Sequence, residues 1–139
     1  MSRRPLRFLA ALAAVVALAG CAGEEPTMTP ATQPAQTPSV PADGLALADR
    51  GFEFAPAGLS VPADAMIVEE IDQVNNVTVV FSAPTGAELA AYYRRVLPEL
   101  GFTITADANN SLLFSDDQWD GALTANGAYS ALTLRTDWE

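Results

Sequence analysis

The sequence predicts an α+β domain: an antiparallel sheet of about six strands, in the order β-β-α-β-β-β-β, with one helix packed on one face. Three observations predict it. One central segment carries an apolar stripe at helical spacing, two segments with period-two alternation precede it, and four follow it. A single helix among short strands buries its stripe most economically by lying across one face of an antiparallel sheet. The domain is expected over residues 45–139, roughly 95 residues, which suffices for one modest core.

The helix is read from "TGAELAAYYRRVLPELG", Thr85 to Gly101. Thr85 followed three residues later by Glu88 is a capping box, in which each side chain bonds the other residue's backbone N–H. Leu89, Tyr92, Tyr93, Val96, Leu97 and Leu100 recur at steps of three and four, giving one apolar stripe. Pro98 lacks a donor and crowds the carbonyl of Arg94, so the last turn should bend or loosen before Gly101 ends it. Tyr92 and Tyr93 are expected in the core, and Arg94 and Arg95 in exposed pairs with Glu88, Glu99 or sheet carboxylates.

Before the helix, "AMIVEEI" and "NVTVVFS" read as strands, the second with Val77, Val79 and Phe81 in phase. After it come "FTITA", "SLLFS", "WDGALTA" and "YSALTLRT". Asn126-Gly127 is expected to form a hairpin turn with positive dihedrals at both positions, and "DANN" and "SDDQ" supply further turns.

Strand parity then divides the sheet. If Phe102, Ile104, Leu112, Phe114, Leu132 and Leu134 point toward the helix, the alternate positions Thr103, Thr105, Leu113, Tyr129, Thr133 and Arg135 point away. This outward set is the candidate interaction face, with Tyr129 and Arg135 as the residue types that most often anchor interfaces.

The first 44 residues have a different character. A basic stretch, "MSRRPLR", leads into twelve apolar residues from Phe8 to Ala19 and then into "LAGC", Leu18 to Cys21. That is the three-part layout of a secretion signal. Twelve residues rise only ~18 Å as a helix, short of the ~30 Å hydrocarbon core. The Leu-Ala-Gly-Cys pattern resembles the lipobox of bacterial lipoproteins. The resemblance implies a signal peptide over 1–20, cleavage between Gly20 and Cys21, and lipid transfer to the Cys21 sulfur. It also implies a membrane anchor facing the extracytoplasmic side of the cell envelope. Cys21 is the one cysteine of the chain, and a thioether to lipid removes what would be an unpaired thiol in an oxidising compartment. "SRRPLR" also partly resembles a twin-arginine export motif, departing from it at Arg7, where that family favours leucine. Residues 21–44 then form a lipidated cysteine followed by a Pro/Thr-rich tether, with prolines at 26, 30, 34, 38 and 41 and almost no large apolar groups. In polyproline geometry its reach is ~70 Å.

Composition excludes more chemistry than it assigns. The 139 residues contain no histidine, and all seven basic residues are arginine. Ser-His and Cys-His pairs, serine-lysine dyads and imidazole metal sites are therefore absent, as are glycine-rich phosphate loops. A chain beginning at Cys21 keeps four arginines against all 17 carboxylates, a net charge of −13 that repels nucleic acid. Of the acidic groupings, Glu69, Glu70 and Asp72 alternate across a strand. Asp116, Asp117 and Asp120 flank Trp119 in a turn, a grouping with the chemistry to coordinate calcium or to hold a sugar beside an aromatic ring, but read in preference as a solvated turn with Trp119 turned into the core. No cofactor, metal ligand or catalytic residue is expected.

The phrase "YYRRVLPELGF", Tyr92 to Phe102, with the extended "VPADA" ahead of it, is similar to a recurrent type of small extracytoplasmic domain. That resemblance implies no activity and carries no site residue. The sequence therefore points to a monomeric, lipid-anchored envelope protein whose domain is a non-enzymatic binding or interaction module of unknown ligand, with an envelope protein as a candidate partner. The alternative is a carboxylate-dependent hydrolase of envelope glycans, which requires two carboxyl groups facing each other across a cleft, ~5 to 9.5 Å apart. Cys21→Ser is expected to remove the acyl chains, so that the protein is retained as precursor or released. Unchanged acylation and membrane fractionation of that variant would overturn the lipoprotein resemblance.

Overall fold

The computed structural model describes residues 38–137, so Gly20, Cys21, the leader and the tether up to residue 37 lie outside the described residues. The elements in chain order are β1 (Gly44–Ala46), a 3-10 turn (Ala48–Arg50), β2 (Ser60–Pro62), β3 (Met66–Gln73), β4 (Asn76–Ala83), α1 (Gly86–Glu99), β5 (Thr103–Ala108), β6 (Ser111–Ser115), β7 (Asp120–Ala125) and β8 (Ser130–Arg135). The six strands from β3 onward form one antiparallel sheet in the order β3-β4-β8-β7-β6-β5. The α+β class, the strand sequence and the single helix agree with the pattern read from the residues. β8 returns between β4 and β7, so the last strand joins the two halves of the sheet.

Alternation explains the burial. Val77, Val79 and Phe81 of β4, Leu112 and Phe114 of β6, Leu123 of β7 and Leu132 and Leu134 of β8 are all buried. The register sets Val79 and Leu123 on either side of Leu132, and Leu112 opposite Leu123. α1 lays Leu89, Ala90, Tyr92, Tyr93, Val96 and Leu97 on that floor, over β5, β6 and β7. Phe102 and Phe114 meet edge to face at 5.3 Å.

Both ends of α1 are closed. The Thr85 hydroxyl accepts from the Glu88 N–H at 3.3 Å while Glu88 Oε2 accepts from the Thr85 N–H at 2.9 Å, which completes the expected capping box. At the other end the Phe102 N–H bonds the Leu97 carbonyl and the Gly101 N–H bonds the Pro98 carbonyl, both at 3.1 Å. With Gly101 at φ 91° this is a Schellman stop, and the buried Phe102 and Leu97 supply its apolar contact. Pro98 stays inside the helix, and the Leu100 N–H divides itself between the Val96 and Leu97 carbonyls at 3.3 and 3.1 Å, so the final turn is tightened toward 3-10 geometry rather than loosened as Pro98 led one to expect.

Three local features depart from the pattern read from the residues. First, β1 and β2 pair into a separate two-stranded sheet that alternation does not reveal, because three residues are too few to show a period. Second, the hairpin with two positive dihedrals is at Asn109 (φ 53°) and Asn110 (φ 59°), between β5 and β6. At the β7–β8 turn only Gly127 is positive (φ 90°), and Asn126 instead uses Oδ1 to accept the Tyr129 N–H at 3.2 Å. Third, β5 is bulged: Ile104 stands opposite Phe114 and Ala106 opposite Leu113, so Thr105 is the extra residue.

The N-terminal part supplies the remaining cover. Leu47, Phe52, Leu59 and Val61 are buried in the same core. Backbone N–H groups of Glu53 and Phe54 donate to the two carboxylate oxygens of Asp72 at 2.6 and 3.1 Å, which fixes this segment across β3. The last residues of the Pro/Thr-rich stretch are packed too. Pro38 occupies the space that a Cβ on Gly58 would need, and the Gly44 N–H donates to the Pro41 carbonyl at 2.9 Å.

Gly121 is a packing requirement. It faces inward on β7 opposite Phe114, whose ring fills the place of a Cβ, and that ring is buried and held by Phe102, so it has no room to swing away. Gly121→Ala is expected to destabilise the domain by about 1–3 kcal/mol in urea denaturation. Adding Phe114→Leu should recover part of that loss, a positive coupling between neighbours; independent, additive effects would show that the ring does not occupy this space.

Candidate functional site

With the apolar set committed to the helix side, the opposite face of the sheet is defined by register. One row runs Ile71, Thr78, Thr133, Ala122, Leu113 and Ala106 across β3, β4, β8, β7, β6 and β5. The row nearer the β3–β4 turn runs Gln73, Asn76, Arg135, Asp120, Ser115 and Thr103. No described element packs on this face. Thr103, Leu113, Thr133 and Arg135 thus lie where parity places them. Thr105 does not: the β5 bulge shifts the phase by one, so Ala106 takes the outward place beside Leu113. Tyr129 closes the β7–β8 turn rather than lying in a strand, through the Asn126 N–H to Tyr129 carbonyl bond at 3.0 Å. Leu113 is 52% exposed and Tyr129 51%. Between Leu113 and Ile71 the row holds only Ala122, Thr133 and Thr78, and Ala106 lies on the far side, so Leu113 stands out from its immediate neighbours. The Thr78 hydroxyl, 3.1 Å from Asn76 Oδ1 and 3.4 Å from Thr133 Oγ1, ties the centre of the face together.

The charged groups nearest the helix are already paired. Arg94 forms a two-pronged pair with Asp107 of β5 at 2.7 and 2.8 Å, and Arg95 bonds Asp43 at 2.6 Å while lying 5.3 Å from the centre of the Tyr92 ring. Glu88 is occupied by the cap, so neither of the helix acids is the partner. Hydrogen bonds from these guanidinium groups hold the Asp107 and Asp43 carboxyls below their ordinary values. Burial pushes the Tyr92 hydroxyl up and the Tyr93 hydroxyl well up, as befits core aromatics.

Three concavities border these features. The first, about 530 Å³, runs along α1 beside Glu88, Tyr92 and Arg95, with Asp43, Asp64 and Pro62 opposite. Two of its carboxylates are engaged, Glu88 by Thr85 and Asp43 by Arg95. The other two lie at the Arg135 end of the sheet. One, about 980 Å³, is lined by Gln73, Asn75, Asn76, Asp120, Arg135 and Asp137, together with Thr136. Its neighbour, about 270 Å³, adds Asp116, Asp117, Gln118 and Trp119. Asp116 Oδ1 accepts the N–H groups of Gln118 and Trp119 at 2.8 and 2.6 Å, which fixes that turn, and Trp119 packs partly into the core as expected. Among the described residues no three carboxylates converge to hold a metal ion.

Sequence reading missed Gln73, Asn75 and Asn76 as members of a concavity with Arg135 and Asp120. They become neighbours only when β8 inserts between β4 and β7. Comparison with family models, curated proteins and solved structures finds no match.

The sign of the pH dependence follows from the two depressed carboxyls. Their ion pairs contribute stability above the unfolded carboxyl value, about 3.9, and that contribution is lost as pH falls through the lower folded values. The urea midpoint should therefore drop on acidification below about pH 4. Asp107→Asn should make that acid-side loss smaller, and an unchanged pH profile would place the loss elsewhere.

Proposed function

We propose that the chain is a bacterial lipoprotein, anchored in the cell envelope through lipid on Cys21, whose domain is a monomeric, non-enzymatic binding module. The leader and the Leu-Ala-Gly-Cys pattern support the anchor, and the Pro/Thr-rich stretch supports a spacer between membrane and domain. The observation that carries the binding reading is the sheet face on which no described element packs, with Leu113 half-exposed in its middle row and Tyr129 half-exposed at the adjoining β7–β8 turn. An antiparallel sheet of this kind buries one face in the core and leaves the other open to water or to a partner. The partner is an envelope protein that meets Leu113 and Tyr129, with Thr103 and Thr133 as flat surround. The acidic balance of the chain turns nucleic acid away.

The test is site-specific photocrosslinking on intact cells. A probe at Leu113 is expected to join one discrete partner, whereas a probe at Arg94, on the helix side, is not. A probe at Thr133, in the same row, is expected to capture the same partner, and combining Tyr129→Ala with Leu113→Ala should abolish that Thr133 product while changing stability by less than about 1 kcal/mol, as for exposed sites. No adduct at Leu113, or a large stability loss in the double variant, would sink the reading.

A further inference from the structure

We infer that the polar concavity at the Arg135 end of the sheet is a saccharide-binding site. It gives the binding module proposed above a ligand class, and so rests on that reading. The sheet sets the geometry. Gln73, Asn76, Arg135 and Asp120 are in-register neighbours on four adjacent strands, β3, β4, β8 and β7. Strands are ~4.8 Å apart, so these four side chains form a row roughly 14 Å long, suited to a linear di- or trisaccharide. Each ends in a planar amide, guanidinium or carboxylate group with paired donors, paired acceptors or one of each. Such groups clasp neighbouring hydroxyls of a sugar ring, which are themselves donors and acceptors.

The residues around the row narrow the choice further. Asn75, Thr136 and Asp137 complete the larger concavity, so every residue lining it is polar. An apolar ligand would meet no apolar side chain there. Asp116, Asp117, Asp120 and Asp137 against Arg135 disfavour an anion, and the carboxylates do not converge on a metal position among the described residues. A neutral polyol fits, able to use the donors of Arg135 and the amides together with the acceptors of Asp120 and Asp137. Arg135 is suited to it because, among the described residues, it forms neither of the ion pairs present, although Asp120 is its direct cross-strand neighbour. The scaffold is also rigid. The Thr136 N–H bonds the Asn75 carbonyl at 3.2 Å, and the Asp116 turn is closed by the Asp116 N–H to Trp119 carbonyl bond at 2.9 Å. Trp119 in the adjoining hollow offers a fluorescent reporter beside the row.

The experiment titrates the full chain with glucose, mannose and N-acetylglucosamine oligomers of two to four units, read by tryptophan fluorescence and by equilibrium dialysis. Saturable binding of at least one series is expected, weakened roughly tenfold or more in Asp120→Asn and in Asn76→Ala. The Tyr129→Ala, Leu113→Ala double variant should bind as the parent does, and thermal unfolding of each variant shows that it is folded. No binding by any series, or binding that both site variants leave unchanged, overturns the site. So does salt-sensitive binding of a tetra-arginine peptide alone, which would make the concavity a docking place for a basic protein segment. Failure here with the Leu113 crosslink intact removes the saccharide site and leaves the protein-contact reading standing. Oligosaccharides shortened by the parent but not by Asp120→Asn would keep the site and overturn the non-enzymatic reading.

Discussion

Two tyrosines of α1 close on one serine. The Tyr92 hydroxyl lies 2.6 Å from Ser60 Oγ, and the Tyr93 hydroxyl donates to the Ser60 carbonyl at 3.0 Å, all of it buried. This contact answers a problem of width. A helix is about 10 Å across with its side chains, whereas six strands span roughly 25 Å, so α1 by itself covers only part of the apolar floor. The β1–β2 segment brings Leu47, Phe52, Leu59 and Val61 over the rest, and the tyrosines tie it to the helix. Gly44 lies against the Tyr92 hydroxyl with no space for a Cβ, so the fit of β1 to the helix depends on the absence of a side chain there. Without the paired hydroxyls, Ser60 would be a buried polar residue at a layer boundary with neither its side chain nor its carbonyl matched by the helix.

Covering one face so completely leaves the other bare, and the chain manages that exposure through size and charge. Threonine, alanine and serine fill many of the outward positions, with Ile71, Val80 and Leu113 as the larger apolar groups among them. Both edge strands, β3 and β5, carry bulges, which interrupt the regular ladder that another chain would need for pairing. Glu69, Glu70 and Asp72 on β3 and Asp107 on β5 add charge at those edges. These features oppose edge-to-edge pairing between copies of the domain.

The two surfaces proposed for binding share one structural origin. β8 lies between β4 and β7, and through that insertion Arg135 stands beside both Asn76 and Asp120, while Thr133 stands between Thr78 and Ala122. The flat middle of the sheet suits a protein surface, and its polar end suits a hydrogen-bonding ligand. The Pro38 to Asp43 stretch runs along the other layer, by Gly58 and Arg95. It does not occupy the open face, so the stretch that leads into the domain and the face proposed for binding are separate.

Much of this was legible in the residues alone. Capping at Thr85 and Glu88, the stripe from Leu89 to Leu97, the stop at Gly101 and the inward phase of β4, β6 and β8 are local properties, set by backbone hydrogen bonding and by periods of 3.6 and 2. So was the outward placement of Leu113, Thr133 and Arg135, since parity within a strand needs no knowledge of its neighbours. Thr105 escaped that rule because a bulge is a mismatch between two strands and leaves no period in either. The turn at Asn126 escaped it because Asn side chains serve both a positive-φ turn and an acceptor role, and the Tyr129 N–H decides between them. Strand order, the cover by β1 and β2, and the meeting of Gln73, Asn76, Arg135 and Asp120 were decided only by the tertiary structure. They join residues up to about 60 positions apart, and which distant strands pair depends on how the whole apolar floor is covered rather than on any local preference.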